Sequence, residues 1–273
     1  MYTIILAVFT GLITGFVLGI SDVASWVWSV VWGVLAALVC QMVVGFLLKR
    51  RIERGMRDVQ GVLMMGQKRL QAKVAQWQMR PPGSVKQAQM DLEREQKGFI
   101  NQALEESKRL DKWRLWSPLL GKQLATLRMQ LYYQVKDFKK VDELMPQCLF
   151  MEPVSAAMKL ARMYMLKEEG LESFFEKHVK RSTRFSGGDG AILYAAYSWI
   201  LVQQGEIDKA HKVLIRACEK SDKETLKRNR DMLANNKINH FNNSGFGDEW
   251  YALGLEEPKI KEKRQRFGSG RPF

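Results

Sequence analysis

Charged residues are almost absent from the first 48 positions of the chain, where Asp22 is the only one. The first basic residue is Lys49, and an uncharged stretch of this length is too long for a helix of a soluble core. A cleaved signal peptide is the alternative interpretation, but it needs a basic segment before its apolar run, and none is present. Asp22 also fits poorly at the cleavage site of such a peptide.

Two apolar runs fill this region, one over Tyr2–Ile20 and the other over residues 24–48. A helix needs about 20 apolar residues to cross the hydrocarbon core of a bilayer. The sequence therefore predicts a transmembrane helical hairpin over residues 1–48. Small residues recur at every fourth position in each run and predict the faces along which the two helices touch. They are Gly11, Gly15, Gly19, Ser29, Gly33 and Ala37.

Basic residues gather where the second run ends. Residues 47–80 hold nine basic and two acidic side chains, which is half of the chain's net charge of +14. Because Lys and Arg beside membrane helices stay in the cytoplasm, we expect a two-pass protein of the cell (inner) membrane with both termini cytoplasmic. The same charge is expected to bind anionic lipid at the membrane surface. The predicted membrane-surface residues are Lys49, Arg50, Arg51, Arg54 and Arg57.

Cysteine and histidine are scarce, with three of each in the chain. The cysteines match neither a metal spacing nor a disulfide framework, and no histidine has a partner at ligand spacing. His178 and His211 are therefore interpreted as partly exposed helix residues. The three cysteines and three histidines are Cys40, Cys148, Cys218, His178, His211 and His240. The stretch FSGGDG (residues 185–190) lacks the Gly-Lys-Ser of a phosphate loop, and Asp189 is expected to cap the next helix. We therefore expect no enzyme, no cofactor and no metal.

Apolar residues keep helical spacing from residue 50 to about residue 78. This pattern predicts a basic helix that runs on from the membrane or lies along it, within a segment of residues 49–83. Pro81 and Pro82 end that helix, and Ser84 is expected to cap the next one, which is predicted to end near Trp113 within a segment of residues 84–117. Three glycines weaken the first of these helices.

Two later stretches share a helix-turn-helix pattern. Residues 131–153 read LYYQVKDFKKVDELMPQCLFMEP and residues 194–222 read YAAYSWILVQQGEIDKAHKVLIRACEKSD. The aromatic pair and acidic-aromatic turn of the first, and the spaced small residues of the second, resemble the tetratricopeptide repeat of 34 residues. The matching turn residues Asp137 and Glu206 are 69 positions apart, about twice that length, so a third, degenerate repeat is expected between them.

The resemblance implies an all-α protein in which a transmembrane helical hairpin precedes a tetratricopeptide-like stack of antiparallel helix pairs. Three repeats and a capping helix, opened by Ser221 and Glu224, are expected over residues 118–235, and an irregular basic tail over residues 236–273. The protein beginning at Ser84 is expected to fold without its anchor. The layout also looks like that of HemY-like bacterial membrane proteins, but the likeness is one of plan and implies no haem role.

A stack of such repeats presents its first helices along a concave groove. The resemblance implies a protein-binding groove lined by Gln130, Tyr133, Gln134, Trp199, Val202 and Gln203. Ordinary packing between repeats is an equal alternative for the two aromatic residues. The expected function is a membrane-anchored scaffold for an unidentified protein at the cytoplasmic face, and either a membrane complex or a second copy of the chain stays open as the partner.

A membrane-bound contact with nucleic acid or the ribosome, through the basic helix and tail, is the alternative function. The sequence disfavours a nucleic-acid partner for two reasons. It contains no recognisable nucleic-acid module, and its aromatic residues are not interleaved with the basic ones as a stacking platform requires.

Overall fold

The computed structural model describes residues 2–21, 25–80, 84–117, 119–185 and 190–257. Every regular element in these ranges is helical, which confirms the all-α prediction. The helices are α1 (Tyr2–Ile20), α2 (Trp26–Met79), α3 (Val85–Lys108), α4 (Leu120–Gln134), α5 (Phe138–Leu144), α6 (Pro153–Met165), α7 (Leu171–Phe185), α8 (Ala191–Gln203), α9 (Ile207–Lys220), α10 (Glu224–Ala234) and α11 (Asp248–Tyr251). Contacts divide the chain into two compact units, Met1–Leu149 and Phe150–Phe273.

Two helices near the N-terminus are long and apolar enough to cross a membrane, α1 and the first part of α2. They pack against each other as a helical hairpin. The second helix continues through the basic segment without a break and comprises 54 residues. The rise of an α-helix gives it a length of about 80 Å, of which about 47 Å follows Leu48. The basic segment after Leu48 therefore continues the same helix that begins as the second candidate membrane span. The helix has no break at residue 48, where the sequence placed the boundary between the hairpin and the basic segment.

Ser84 caps α3, as its place in the sequence predicts. Its hydroxyl accepts a hydrogen bond at 3.4 Å from a backbone N–H in the first turn, one of the donors that a helix start leaves unsatisfied. The other end of α3 differs from the prediction, because the helix stops at Lys108 and a 3-10 turn, Asp111–Trp113, follows. Arg128 fixes this end by donating to the hydroxyl of Ser107 at 2.9 Å and to its carbonyl oxygen at 3.0 Å.

Two glycines let α3 pack closely on the later part of α2. A Cβ atom at Gly66 would lie 2.6 Å from Cγ of Phe99, and one at Gly55 would collide with the side chain of Leu110. The two pairs run in opposite order along the helices, so α3 is antiparallel to α2. These glycines, which the sequence marks only as weak points of the helix, are the places where Phe99 of α3 and Leu110, two residues beyond its end, pack against α2.

The core of the first unit uses α2 as one wall. One buried cluster contains Val59, Ile100, Ala103, Leu104 and Leu131. A second contains Leu110, Leu120 and Leu124, with Ile52 and Met56 packed against them. Both clusters join α2 to α3 or α4, so the basic part of α2 that follows Leu48 packs against the helices after it. A chain beginning at Ser84 would lack this wall.

The second unit consists of helical hairpins and a compact C-terminal segment. Helix α6 packs against α7 and α8, α8 against α9, and α9 against α10. Helix α8 is the centre of this unit, since Ala191 to Leu201 are all buried. The turn before α9 contains Gly205, next to the predicted turn residue Glu206, and its φ of +80° suits glycine. The predicted capping box is not formed, because α10 begins at Glu224 and the Ser221 hydroxyl accepts from the N–H of Lys223 instead.

Candidate functional site

The predicted small residues of the two apolar helices lie at the contact between them, with one exception. A Cβ atom at Gly11 would lie 2.8 Å from the carbonyl oxygen of Gly33, and one at Gly33 would lie equally close to the carbonyl oxygen of Gly11. The same contact includes Gly15, Ser29 and Ala37. Gly19 has no neighbouring atom within 4 Å of the position a Cβ would take. The backbones approach closely at this contact because larger side chains are absent.

The five predicted membrane-surface residues are all exposed on α2. Lys49 lies 3.8 Å from Glu53, a loose pair one helical turn away. The guanidinium of Arg50 lies 5.4 Å from the ring centre of Phe46, and that of Arg51 lies 5.6 Å from the ring of Trp113. Their charge therefore stands at the surface of the helix just beyond the apolar run.

The α4 residues predicted to line a groove differ in exposure. Gln134 is exposed and Gln130 is half-buried, but Tyr133 is only 2% exposed. The Tyr133 ring packs edge-on against Phe138 of α5, with ring centres 5.3 Å apart. Packing within the first unit accounts for this tyrosine, and the two glutamines are the parts of the set that reach the surface.

The α8 residues of the predicted groove show the same division. Gln203 is exposed and Val202 is half-buried, whereas Trp199 is 8% exposed. The indole of Trp199 packs edge-on against Tyr164 at 5.7 Å and against Trp250 at 6.1 Å. The α4 set belongs to the first unit and the α8 set to the second.

A C-terminal segment that sequence reasoning left unplaced covers α8. Glu256 accepts one hydrogen bond from the indole N–H of Trp199 and another from that of Trp250, each at 2.7 Å. Asn243 donates to the backbone carbonyl of Ala195 at 3.2 Å and accepts from the buried Asn229 at 2.7 Å. The aromatic residues of this segment were the signal that it docks, but nothing in its spacing identified α8 as the target.

His178 is a packing residue. It is 8% exposed, which corrects the expectation of a partly exposed helix position. Its ring stacks on Phe174 at 3.9 Å, and its Nδ1 donates to the Phe174 carbonyl oxygen at 2.9 Å. Burial lowers the pKa of His178, and the nearby cations Lys177 and Arg181 lower it further, whereas the hydrogen bond to Phe174 raises it.

Cys148 is also shifted by burial, in the opposite direction. Burial raises the pKa of its thiol to about 11, so this thiol is a poor nucleophile.

Within the described ranges, no group of three His, Cys, Asp or Glu side chains is placed to hold a metal ion. The cap predicted at Asp189, most of the FSGGDG stretch and the basic tail beyond residue 257 lie outside the described residues. No protein-family model, curated protein or solved structure matches the chain.

Proposed function

We propose that the protein is a non-catalytic scaffold, anchored in a bacterial inner membrane by α1 and the first part of α2, whose helix pairs bind a protein partner at the cytoplasmic face. The continuity of α2 is the observation that carries this proposal. One helix passes from an apolar run of membrane-spanning length directly into the core of a folded unit. A tether of this kind holds its unit beside the bilayer in a fixed orientation.

The orientation follows from charge. The exposed cations from Lys49 to Arg57 favour the cytoplasmic side, and the short connection between α1 and α2 carries no basic residue. Both termini and both compact units are then cytoplasmic. Anionic lipid is the second ligand of this arrangement, attracted by the same cations.

We propose one binding surface in each unit, at the exposed end of α4 in the first unit and at the exposed end of α8 in the second. Gln134 on α4 and Gln203 on α8 are exposed, and Gln130 and Val202 beside them are half-buried. The buried rings of Tyr133 and Trp199 hold α4 and α8 in place by packing against Phe138 and against Tyr164, respectively. Polar, adaptable side chains over rigid aromatic packing suit recognition of a protein surface. The resemblance to the tetratricopeptide repeat supports the same interpretation.

Affinity capture of the full-length protein from mild detergent tests this function. The double variant Gln134→Arg/Gln203→Arg adds bulk and charge at the proposed surface of each unit without removing a buried group. We expect a co-purifying protein, reproducible and insensitive to nuclease, to be reduced at least about tenfold, which corresponds to ~1.4 kcal/mol of binding.

The matched control is Gln89→Arg/Gln102→Arg, which makes the same changes at two exposed positions of α3. It should retain the partner at the wild-type level. If nuclease removes everything that is captured, the nucleic-acid or ribosome contact replaces the scaffold. Equal capture by both double variants would contradict the proposed surface.

A further inference from the structure

The turn between α3 and α4, residues 109–117, contacts the beginning of α1. The backbone N–H of Tyr2 donates to the carbonyl oxygen of Leu115 at 3.3 Å, and the hydroxyl of Thr3 donates to that of Trp116 at 3.3 Å. The rings of Tyr2 and Trp116 meet edge-on, with centres 5.6 Å apart. Because α1 begins at Tyr2, these contacts hold the 109–117 turn at the end of the first apolar helix.

The same turn is fixed to α2 just beyond its apolar run. Leu110, 3% exposed, belongs to a buried cluster against which Trp113 of the turn and Ile52 and Met56 of α2 pack. These two α2 residues follow Leu48 by about one and two helical turns, or roughly 6 and 12 Å along the axis. The turn therefore stands beside the ends of both apolar helices at one level, which in an anchored protein is the level of the lipid headgroups.

Basic side chains from the turn and from α2 converge around Trp113. They line a cleft of about 400 Å³ that includes Arg51, Arg54, Arg109 and Lys112. The guanidinium of Arg51 lies 5.6 Å from the Trp113 ring centre, and the ammonium of Lys112 lies 5.5 Å from it. Two acidic residues, Asp58 and Glu106, also line the cleft, and Glu106 is paired with Arg109 at 2.7 Å. Four cations against two anions leave the cleft positive.

Two large apolar side chains that follow Trp113 closely in the sequence face outward. Leu115 is 61% exposed and Leu119 is 55% exposed. In water, exposure of each leucine side chain is unfavourable in free energy. At a bilayer surface both side chains would reach the boundary of the acyl chains. Tryptophan and tyrosine prefer the headgroup level, and Trp113, Trp116 and Tyr2 lie there together.

We infer that the 109–117 turn, the start of α4 and the facing side of α2 form a binding site for anionic phospholipid. Arg51, Arg54, Arg109 and Lys112 hold the headgroup phosphate, and Leu115 and Leu119 contact the acyl chains. The inference rests on the proposed membrane anchoring and goes beyond diffuse attraction of the basic segment. It assigns the lipid to a cleft made by two separate parts of the chain. A free phosphate would use the cations but would leave the exposed leucines without a role.

Lipid titration of the full-length protein in detergent, followed by native mass spectrometry, tests the headgroup contacts. We expect phosphatidylglycerol to bind more tightly than phosphatidylcholine. Arg109→Glu/Lys112→Glu should weaken phosphatidylglycerol binding at least about tenfold, and Arg109→Gln/Lys112→Gln should weaken it less. The control variant Lys86→Glu/Lys97→Glu makes the same change of charge at two exposed positions of α3 that do not line the cleft. This variant should bind phosphatidylglycerol as tightly as the wild type does.

Phosphatidylglycerol with a photoreactive acyl chain, incorporated in vesicles with the full-length protein, tests the apolar contacts. Crosslinks should appear in the peptide that carries Leu115 and Leu119 as well as in the two apolar helices. Crosslinks confined to those helices would overturn the inference, as would equal effects of the two Glu double variants. Displacement of the lipid by glycerol phosphate at equal affinity would also overturn it, because the site would then bind only a free anion.

An alkaline carbonate wash separates failure of this site from failure of the proposed function. A protein that the wash releases is not anchored, and both proposals fall. A protein that stays in the membrane but shows no dependence on Arg109 and Lys112 overturns the lipid site alone.

Discussion

Glu256 joins two tryptophans that are far apart in the sequence. Its two carboxylate oxygens accept from the indoles of Trp199 and Trp250, and Trp250 is fully buried. Buried indole N–H groups need an acceptor, since an unpaired donor loses its hydration without compensation. One side chain therefore satisfies two aromatic residues and holds the C-terminal segment on α8.

Glu256→Gln should loosen this segment. The amide keeps one acceptor oxygen but replaces the other with an NH₂ group, so one indole N–H loses its partner at a cost of ~1–3 kcal/mol. Amide hydrogen exchange in α8 of the full-length protein should accelerate by about tenfold or more. The control Glu249→Gln alters an exposed carboxylate in the same segment and should leave α8 unchanged. Equal protection of α8 in both variants would show that the carboxylate does not hold the segment.

His178 should make stability depend on pH in the mildly acidic range. Burial lowers the pKa of its imidazole in the folded protein below the ordinary value of 6.5. As the pH falls below 6.5, the unfolded chain binds a proton at His178 that the folded chain does not, so the free energy of unfolding decreases. Above 6.5 the contribution of His178 to the free energy of unfolding is constant. The melting temperature should fall from about pH 7 to about pH 5 more steeply in the wild type than in His178→Gln. His240→Gln, at an exposed position, should keep the wild-type slope.

Two glycines on α2 offer a direct test of its contact with α3. Gly66→Leu would force its side chain into Phe99 and should lower the free energy of unfolding by ~1–3 kcal/mol. Gly61 lies on the same helix but has no atom within 4 Å of a Cβ position, so Gly61→Leu should be neutral or stabilising. Denaturant unfolding of the two variants in one detergent gives the comparison. Equal stability would mean that α3 does not seat at Gly66.

The wall that α2 supplies also predicts which soluble fragment folds. A protein beginning at Lys49 retains Val59 and its neighbours, whereas one beginning at Ser84 exposes the apolar faces of α3 and α4 that pack against them. Loss of such a wall costs several kcal/mol. The shorter protein should therefore melt about 10 °C or more below the longer one and bind a hydrophobic dye. Equal cooperative melting of both would contradict the shared core.

The helices of this chain were largely predictable, but their partners were not. Periodicity, the Ser84 cap and the turn at Gly205 mark where helices run and end, because these signals act within a few residues. The seating of Phe99 on Gly66 depends on residues far apart, and glycine gives no local sign of it. The same is true of Trp199, for which the repeat pattern left an open groove and packing between repeats as equal alternatives, while its hydrogen bond to Glu256 lies outside the pattern. Long-range packing decided both cases.

At the level of the whole protein, one continuous helix connects the features of the sequence. The same 54 residues contain an apolar run, a basic surface and one wall of a folded core. The uncharged region and the basic cluster predict the anchor and its orientation, because these depend on composition alone. The lipid cleft required Arg109 and Lys112 to meet Arg51 and Arg54, and those residues are distant in the sequence.

Labelling of introduced cysteines in intact cells with a membrane-impermeant reagent tests the anchored topology most directly. The substitutions are Val23→Cys, between the two apolar helices, and Ile260→Cys, near the C-terminus, both outside the described residues. Wild type, with its three native cysteines, is the background control. With both termini in the cytoplasm, position 23 should react from outside and position 260 only after the cells are opened. Labelling of position 260 and not of position 23 in intact cells would contradict a cytoplasmic scaffold.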